Sequence, residues 1–552
     1  MAKKLESGML PLAKLFSQEF FFRIPEYQRP FMWDAENFTN LIDDLTGARW
    51  DEPYFLGTLV LQKQEGSEYD VVDGQQRLTA LCILLACIRD AVQKCGEEKL
   101  ANELHAKIYQ PENTLDGIPA KNRLQVKDQG VFNALVGPIG GTDHPVSEFN
   151  ASTASGERYE TARAVFWDKL GAMPPVELKK FAVFVNGSCT LIYLATDSFE
   201  DAFQLFTVVN DRGKQLRRID VLKAYNLDPI RVPHSDARVK YAQKWEDMEA
   251  QLGESRFEDI FHLLRLIYTK EKPVTDLHTE FVDRILGKGD LPKPGGPFIE
   301  ELTKFVDLYD RLFVDRDYLD VGTEPHVEYR TMMGAMVENF PASEWKACLL
   351  YFADQFGKEY VYQFLLEIEK VYLDHWVQGV RKDERYGTYT KILKEIQVAG
   401  SAKEVVDSIK VDATAIEKAC RAENFYGASH AKYLLVRAEI VTSELDHPHQ
   451  FQVRSIEHVL PQNPKPGGLW DAAFGAQEHA KLVNTAGNLV LLSKSKNSSA
   501  GRKEFDDKKV TYLANRVSDF PRSVQVLKYP VWTPDVIRQR TEEFARIVLK
   551  NP

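Results

Sequence analysis

Glu457 and His458 stand side by side in IEHVLPQNP, and Asn488 and Asn497 follow within GNLVLLSKSKN. An imidazole can take a proton from water, carboxylate and carboxamide oxygens can ligate a hard divalent cation, and a second carboxamide can orient the ring. Those are the groups that a metal-assisted attack of water on a phosphodiester needs. Lys494, Lys496, Arg502, Lys503, Lys508 and Lys509 surround them, and such cations neutralise phosphates without reading bases. Neighbouring side chains on a regular strand point to opposite faces, so Glu457 and His458 converge only where the strand bends; Pro461 permits that. The plain alternative is a buried structural histidine in a basic domain.

Two further groups could contact phosphate. In DGQQR, Asp73 to Arg77, the glycine allows a sharp turn, and the helix that starts there exposes unpaired N–H groups, an anion site. Arg77 opposes the helix dipole in that first turn; a bound phosphate would account for it. Otherwise Asp73 caps the helix and Arg77 is solvated. In IPEYQRPFMWD, residues 24–34, Tyr27, Gln28 and Arg29 join an aromatic face to donors, suited to stacking and phosphate contact. Asn210 and Arg212 in NDRG are a further pair. The alternatives are a loop pinned by Phe31 and Trp33, and an ordinary helix-to-helix turn.

The elements that must position these groups are legible in the patterning. FLGTLVLQ (55–62) and YDVVDG (69–74) read as strands joined by the hairpin KQEGSE; after Gly74, Leu78, Leu81, Leu84, Leu85 and Ile88 mark a buried helix. Residues 111–158 hold most of the Gly, Pro, Asn and Ser punctuation and read as long loops or an insertion. LIYLAT predicts a strand, then a helix from about Ser198, a break at Asn210 to Gly213, and another helix. From about 236 to 430 the pattern is helical, and the last 110 residues read strand, long loop, strand, helix.

The chain has 552 residues, 44% of them hydrophobic and 27% charged, which suits a folded multidomain protein. The longest nearly apolar run, LTALCILLACI, is about half of a membrane span, and MAKKLESGMLPLAKLF lacks a signal-peptide pattern. Six scattered cysteines without a C-x-x-C pair fit a reduced compartment, so the chain reads as cytoplasmic with no membrane partner. Its net charge is −11, yet residues 481–552 carry +7 against −18 for the rest; nucleic acid would meet the C-terminal end. The phosphate-loop, G-x-G-x-x-G, H-E-x-x-H and G-x-S-x-G patterns are all absent.

Together, IPEYQRPFMWD, FLGTLVLQ, VVDGQQRLTAL and FTVVNDRGKQL resemble the N-terminal domain of the GmrS/GmrD type IV restriction enzymes; IEHVLPQNP, GNLVLLSKSKN and EFDDKK resemble their C-terminal domain. The resemblance implies an α+β multidomain chain. It has a ParB/sulfiredoxin-like α/β domain (1–235), a helical middle region (236–410), and a His-Me finger (HNH, ββα-metal) nuclease domain embedded in helices (411–552). It implies an anti-phage endonuclease acting on modified or modification-marked double-stranded DNA, with Mg²⁺ or Mn²⁺, gated by a nucleoside triphosphate such as GTP; a homodimer is compatible with it. Carried over, His458 is the general base, Glu457 and Asn497 approach the metal, and Asn488 orients His458 or holds the loop. Gln76 and Arg77 are central to nucleotide hydrolysis with Asp73 assisting, and Gly74, Gln75, Tyr27, Gln28, Arg29, Asn210 and Arg212 bind the nucleotide. Lys494, Lys496, Arg502, Lys503 and Lys508 contact DNA. The rival reading is a ParB-like, nucleotide-dependent clamp that grips DNA without cutting it; a nuclease with a merely structural DGQQR and an RNA-directed toxin also remain open.

Overall fold

The first 200 residues form β1 (Leu5–Pro11), β2 (Phe21–Arg23), β3 (Tyr54–Lys63), β4 (Glu68–Asp73), β5 (Tyr109–Gln110), β6 (Lys121–Asn122), β7 (Leu124–Gln125) and β8 (Cys189–Thr196) in a computed structural model of the chain, the apolar runs supplying the long strands β3 and β8. The structure describes residues 5–112, 114–115, 119–145, 154–198, 201–202, 205, 217–322, 325–493 and 502–552. Asn210, Arg212, Lys494, Lys496 and Asn497 lie outside the described residues. The chain divides into two units, residues 1–243 and 244–552.

In the first unit six strands make one mixed sheet in the order β1-β8-β3-β4-β2-β7. β3 and β4 form the antiparallel hairpin predicted from KQEGSE, while β3 runs parallel to β8 and β2 parallel to both β4 and β7. The helix Gln75–Lys94 follows β4 after one residue, and every side chain from Leu78 to Val92 is buried. A helix enclosed on all sides needs no polar face, which is why its apolar residues outnumber a single stripe. Ser198 accepts a hydrogen bond from the Asp201 N–H at 3.1 Å, the N-terminal cap expected there.

Residues 111–158 correct the expectation of an insertion outside the core. β7 supplies the sixth strand of the sheet, and Leu124, Phe132, Leu135 and Val136 are buried in the same core as the long helix. Arg89 and Asp90, both wholly buried, hold the loop that follows: Arg89 donates to the Val136 carbonyl at 2.7 Å and the Pro138 carbonyl at 2.5 Å, and Asp90 accepts from the N–H groups of Gly140 and Thr142. Two-residue strands and side-chain-to-backbone anchors leave no periodic trace, so glycine and proline dominated the reading.

The second unit is helical, as the patterning of 236–430 predicts, up to the helix Ala431–Thr442; then come β9 (Ser455–His458), a helix over Leu469–Leu482, β10 (Leu489–Leu492), a short helix over Phe505–Lys508, and the helix Pro534–Val548. β9 and β10 pair antiparallel with His458 opposite Leu489. They close on a core of Val459, Leu460, Trp470, Val490, Leu492, Phe505, Trp532 and Ile537. Buried Glu439 ties the end of the chain to this core by accepting from the Arg522 N–H at 2.6 Å and from Ser523 Oγ at 2.6 Å.

Candidate functional site

His458 ends β9, and its ring is held on two sides. Nε2–H donates to Asn484 Oδ1 at 3.0 Å, and the Tyr426 ring meets the imidazole edge-to-face at 4.4 Å. Asn484 Oδ1 also accepts from Gln462 Nε2 at 3.2 Å. With Nε2 donating, a neutral ring carries its lone pair on Nδ1, the arrangement a general base needs. The Asn484 carbonyl in turn accepts from the Tyr426 N–H at 2.9 Å, so the two residues flanking the ring brace each other.

Asn488 does not perform the ring-orienting task. Wholly buried, it accepts from the Leu460 N–H at 2.7 Å and from Trp532 Nε1 at 3.1 Å, and donates to the carbonyls of Leu460 and Val483. All four hydrogen-bonding positions of its carboxamide are used, which locks the turn after β9 to the start of β10. Its alternative role, holding the loop, is therefore the one the geometry supports. Sequence reading missed Asn484, four residues earlier in VNTAGN, because an asparagine on a turn carries no pattern of its own.

Glu457, buried beside His458 on β9, pairs with Lys508 at 2.9 Å. The Lys508 side chain is wholly buried, and its ammonium also donates to the His458 carbonyl at 2.5 Å and the Val459 carbonyl at 3.2 Å. Lys508 thus clamps the helix after β10 onto the strand that carries His458, rather than presenting its charge to a phosphate. Arg502 is exposed and Lys503 half-buried. For a hard divalent cation the described residues offer the Glu457 carboxylate, one of whose oxygens faces Lys508. A single carboxylate completed by water and phosphate oxygens is an ordinary Mg²⁺ set, so the donors fit such an ion as one ligand.

In the first unit the two sequence-predicted nucleotide groups come together around the start of the helix Gln75–Lys94. Gly74, at φ +89°, makes the turn; a methyl group there would lie 2.4 Å from Leu59 Cδ2. The Arg77 guanidinium lies over Gly57, where a methyl group would sit 2.7 Å from Nη1. Among the described residues Arg77 has no ion-pair partner within 4 Å. Burial pushes its pKa below the ordinary guanidinium range, with Asp73 opposing, and burial raises the Asp73 carboxyl, with the Gly74 N–H and Arg77 opposing. A desolvated cation with no ion pair among the described residues is suited to an anion.

The other candidates mainly hold the IPEYQRPFMWD segment. β2 ends ahead of Pro25 and leaves β4 carbonyls without ladder partners; buried Gln28 reaches across to donate to Val71 O at 3.1 Å and Val72 O at 2.8 Å. Gln76 accepts from the N–H groups of Met32 (2.7 Å) and Trp33 (3.1 Å) and donates to Pro30 O, and Gln75 donates to Arg29 O. Arg29 pairs with Asp220, joining the segment to the helix Arg218–Asn226. Tyr27 lines a cavity of about 180 Å³ with Arg23, Gln62, Asp70 and Arg238, while Arg29, Gln75 and Gln76 border a separate one. Gly57 is the residue missed here; its φ of +111°, at a register shift in β3, makes room for Arg77.

Comparison with known proteins matches both halves. The GmrSD restriction endonuclease N-terminal domain matches residues 12–227, and the GmrSD restriction endonuclease C-terminal domain matches residues 410–547. No curated protein matches the chain. The first match contains the Arg77 site and the second the His458 site; with both domains present in order over more than half its length, the chain belongs to the GmrSD family of type IV restriction endonucleases.

Proposed function

We propose that this restriction endonuclease cuts or nicks DNA by His-Me finger chemistry at His458, and that a nucleoside triphosphate, GTP being the first candidate, held at Asp73, Gly74 and Arg77 licenses the cut on modified or modification-marked DNA. The observation that carries the nuclease reading is the His458–Asn484 hydrogen bond at the end of an antiparallel pair followed by a helix. His458 Nδ1 takes the proton from the attacking water while Asn484 keeps Nε2 protonated, so the ring becomes a cation only during attack. Glu457 holds one coordination position, with Asn497 as a further ligand, and Lys508 keeps Glu457 and the His458 backbone in register. A bound Mg²⁺ or Mn²⁺ supplies charge stabilisation at the scissile phosphate. The half-buried Arg77, without an ion pair among the described residues, supports the nucleotide reading, since its guanidinium suits a phosphate.

Plasmid and phage DNA, modified and unmodified, incubated with Mg²⁺ or Mn²⁺ with and without GTP, test both parts. Wild-type cleavage that His458→Ala abolishes, and whose GTP dependence Arg77→Ala removes, is the expected result. DNA that is bound and left intact by the wild type under every condition would replace the nuclease with the clamp, and GTP dependence that survives Arg77→Ala would withdraw the nucleotide site.

A further inference from the structure

The connector that leads into β9 carries a second cluster of ligating side chains. Among the described residues Asp446, His447 and His449 place one ligand atom each within 4.8 Å of one another. Asp446 Oδ1 is 2.6 Å from His447 Nδ1 and 3.7 Å from His449 Nε2. The two imidazoles stack, centroids 4.3 Å apart and planes 27° from parallel. The sequence accounts for this: a residue before proline is held extended, and in extended backbone residues i and i+2 face the same way, so Pro448 presents both rings to one side.

The connector is anchored behind the cluster. The His449 N–H donates to Thr331 Oγ1 at 3.1 Å and Gln450 Nε2 to Glu338 Oε1 at 3.0 Å, both on the helix His326–Asn339. The His449 ring also stacks on Phe451 at 5.8 Å. His447 and Asp446 stay exposed, while His449 is half-buried.

We propose that Asp446, His447 and His449 bind a first-row divalent cation, Zn²⁺ being the best fit, at a site separate from the one at Glu457 and His458. Two imidazoles and one carboxylate are a borderline donor set that prefers zinc to Mg²⁺ or Mn²⁺. Tetrahedral ligand bonds of about 2.1 Å put the ligand atoms about 3.4 Å apart, so the Asp446–His447 pair opens from 2.6 Å and the Asp446–His449 pair closes slightly from 3.7 Å as the ion replaces the hydrogen bond, which the exposed Asp446 and His447 side chains can accommodate. Three protein ligands leave a position for water, and the bound ion ties the solvent side of the connector to the side already pinned on the helix.

The test uses tag-free full-length protein, stripped of metal with a chelator and titrated with Zn²⁺ against a chromophoric competitor. Expected is one zinc per chain that His458→Ala retains and that the double variant His447→Ala/His449→Ala loses, with Mg²⁺-supported DNA cleavage by the double variant unchanged. Asp446→Asn, at an exposed side chain, should weaken that zinc by at least about tenfold and covers the case in which the double variant misfolds. Zinc uptake by the double variant equal to wild type, uptake lost only in His458→Ala, or no uptake at micromolar zinc by either protein would each overturn the site.

Discussion

In the proposed chemistry Asn484 and His458 divide one task, and their variants should separate. His458→Ala removes the base itself, and general-base catalysis is worth about 10²- to 10⁴-fold, so cleavage should fall by that much with DNA affinity retained. Asn484→Ala leaves the base and frees its tautomer; turnover should fall less, with KM unchanged and the acidic limb of the pH–rate profile displaced, and Asn484→Asp should restore part of the rate by accepting the same Nε2–H bond. An unaltered profile in Asn484→Ala would show that the bond in this structure does not set the ring's protonation. Asp73 makes a prediction of a different kind. Burial raises its folded-state pKa, so its ionised form is disfavoured in the fold, and that cost disappears as pH falls through the raised pKa. Asp73→Asn should therefore unfold at equal or higher denaturant concentration than wild type at pH 7, with the difference shrinking as the pH is lowered, while the proposed GTP dependence of cleavage is lost. A variant less stable than wild type at neutral pH, by an amount independent of pH, would contradict this account.

Elements show where sequence reasoning succeeds. β3, β4 and the helix Gln75–Lys94 were legible because period 2 gives way to a run of leucines at helical spacing after Gly74, and β9 and β10 because apolar runs flank turn residues. Side-chain roles were less legible, since Gln28 and Lys508 combine polarity with burial and Gln76 is half-buried, and only the fold reveals that backbone groups are among their partners. Read without the fold, such residues resemble ligand contacts. Lys508→Met tests the distinction: it leaves Glu457 buried without its ion-pair partner, for which about 3–5 kcal/mol is typical, so the second unit should lose stability. An effect on DNA affinity alone would return Lys508 to the phosphate-contacting surface. Gly487 illustrates the same point for packing. A methyl group there would lie 2.1 Å from the Ile537 carbonyl of the helix Pro534–Val548, so Gly487→Ala should destabilise by about 1–3 kcal/mol. Gly47→Ala, with open space around it, serves as the control and should leave the denaturation midpoint within experimental error.

For the molecule as a whole the charge distribution decides how DNA is met. A net charge of −11 repels a polyanion, yet restriction requires association with one. The +7 balance of residues 481–552 resolves the conflict by confining attraction to the end of the chain that follows β9, so encounter is guided to the strand carrying His458. Exposed Arg502 and half-buried Lys503 precede the helix Phe505–Lys508, and each phosphate they neutralise adds about 0.9 to the slope of log affinity against log salt. Arg502→Ala/Lys503→Ala should flatten that slope by about 2 on unmodified duplex. It should lower affinity about equally on modified and unmodified DNA, because phosphate contacts carry no base information. The cleavage rate at saturating DNA should change little, since neither side chain touches His458 or Glu457 in the described contacts. A double variant with the wild-type slope would place the DNA footprint elsewhere in the molecule, and one that lost discrimination between the two DNAs would make these residues part of modification sensing.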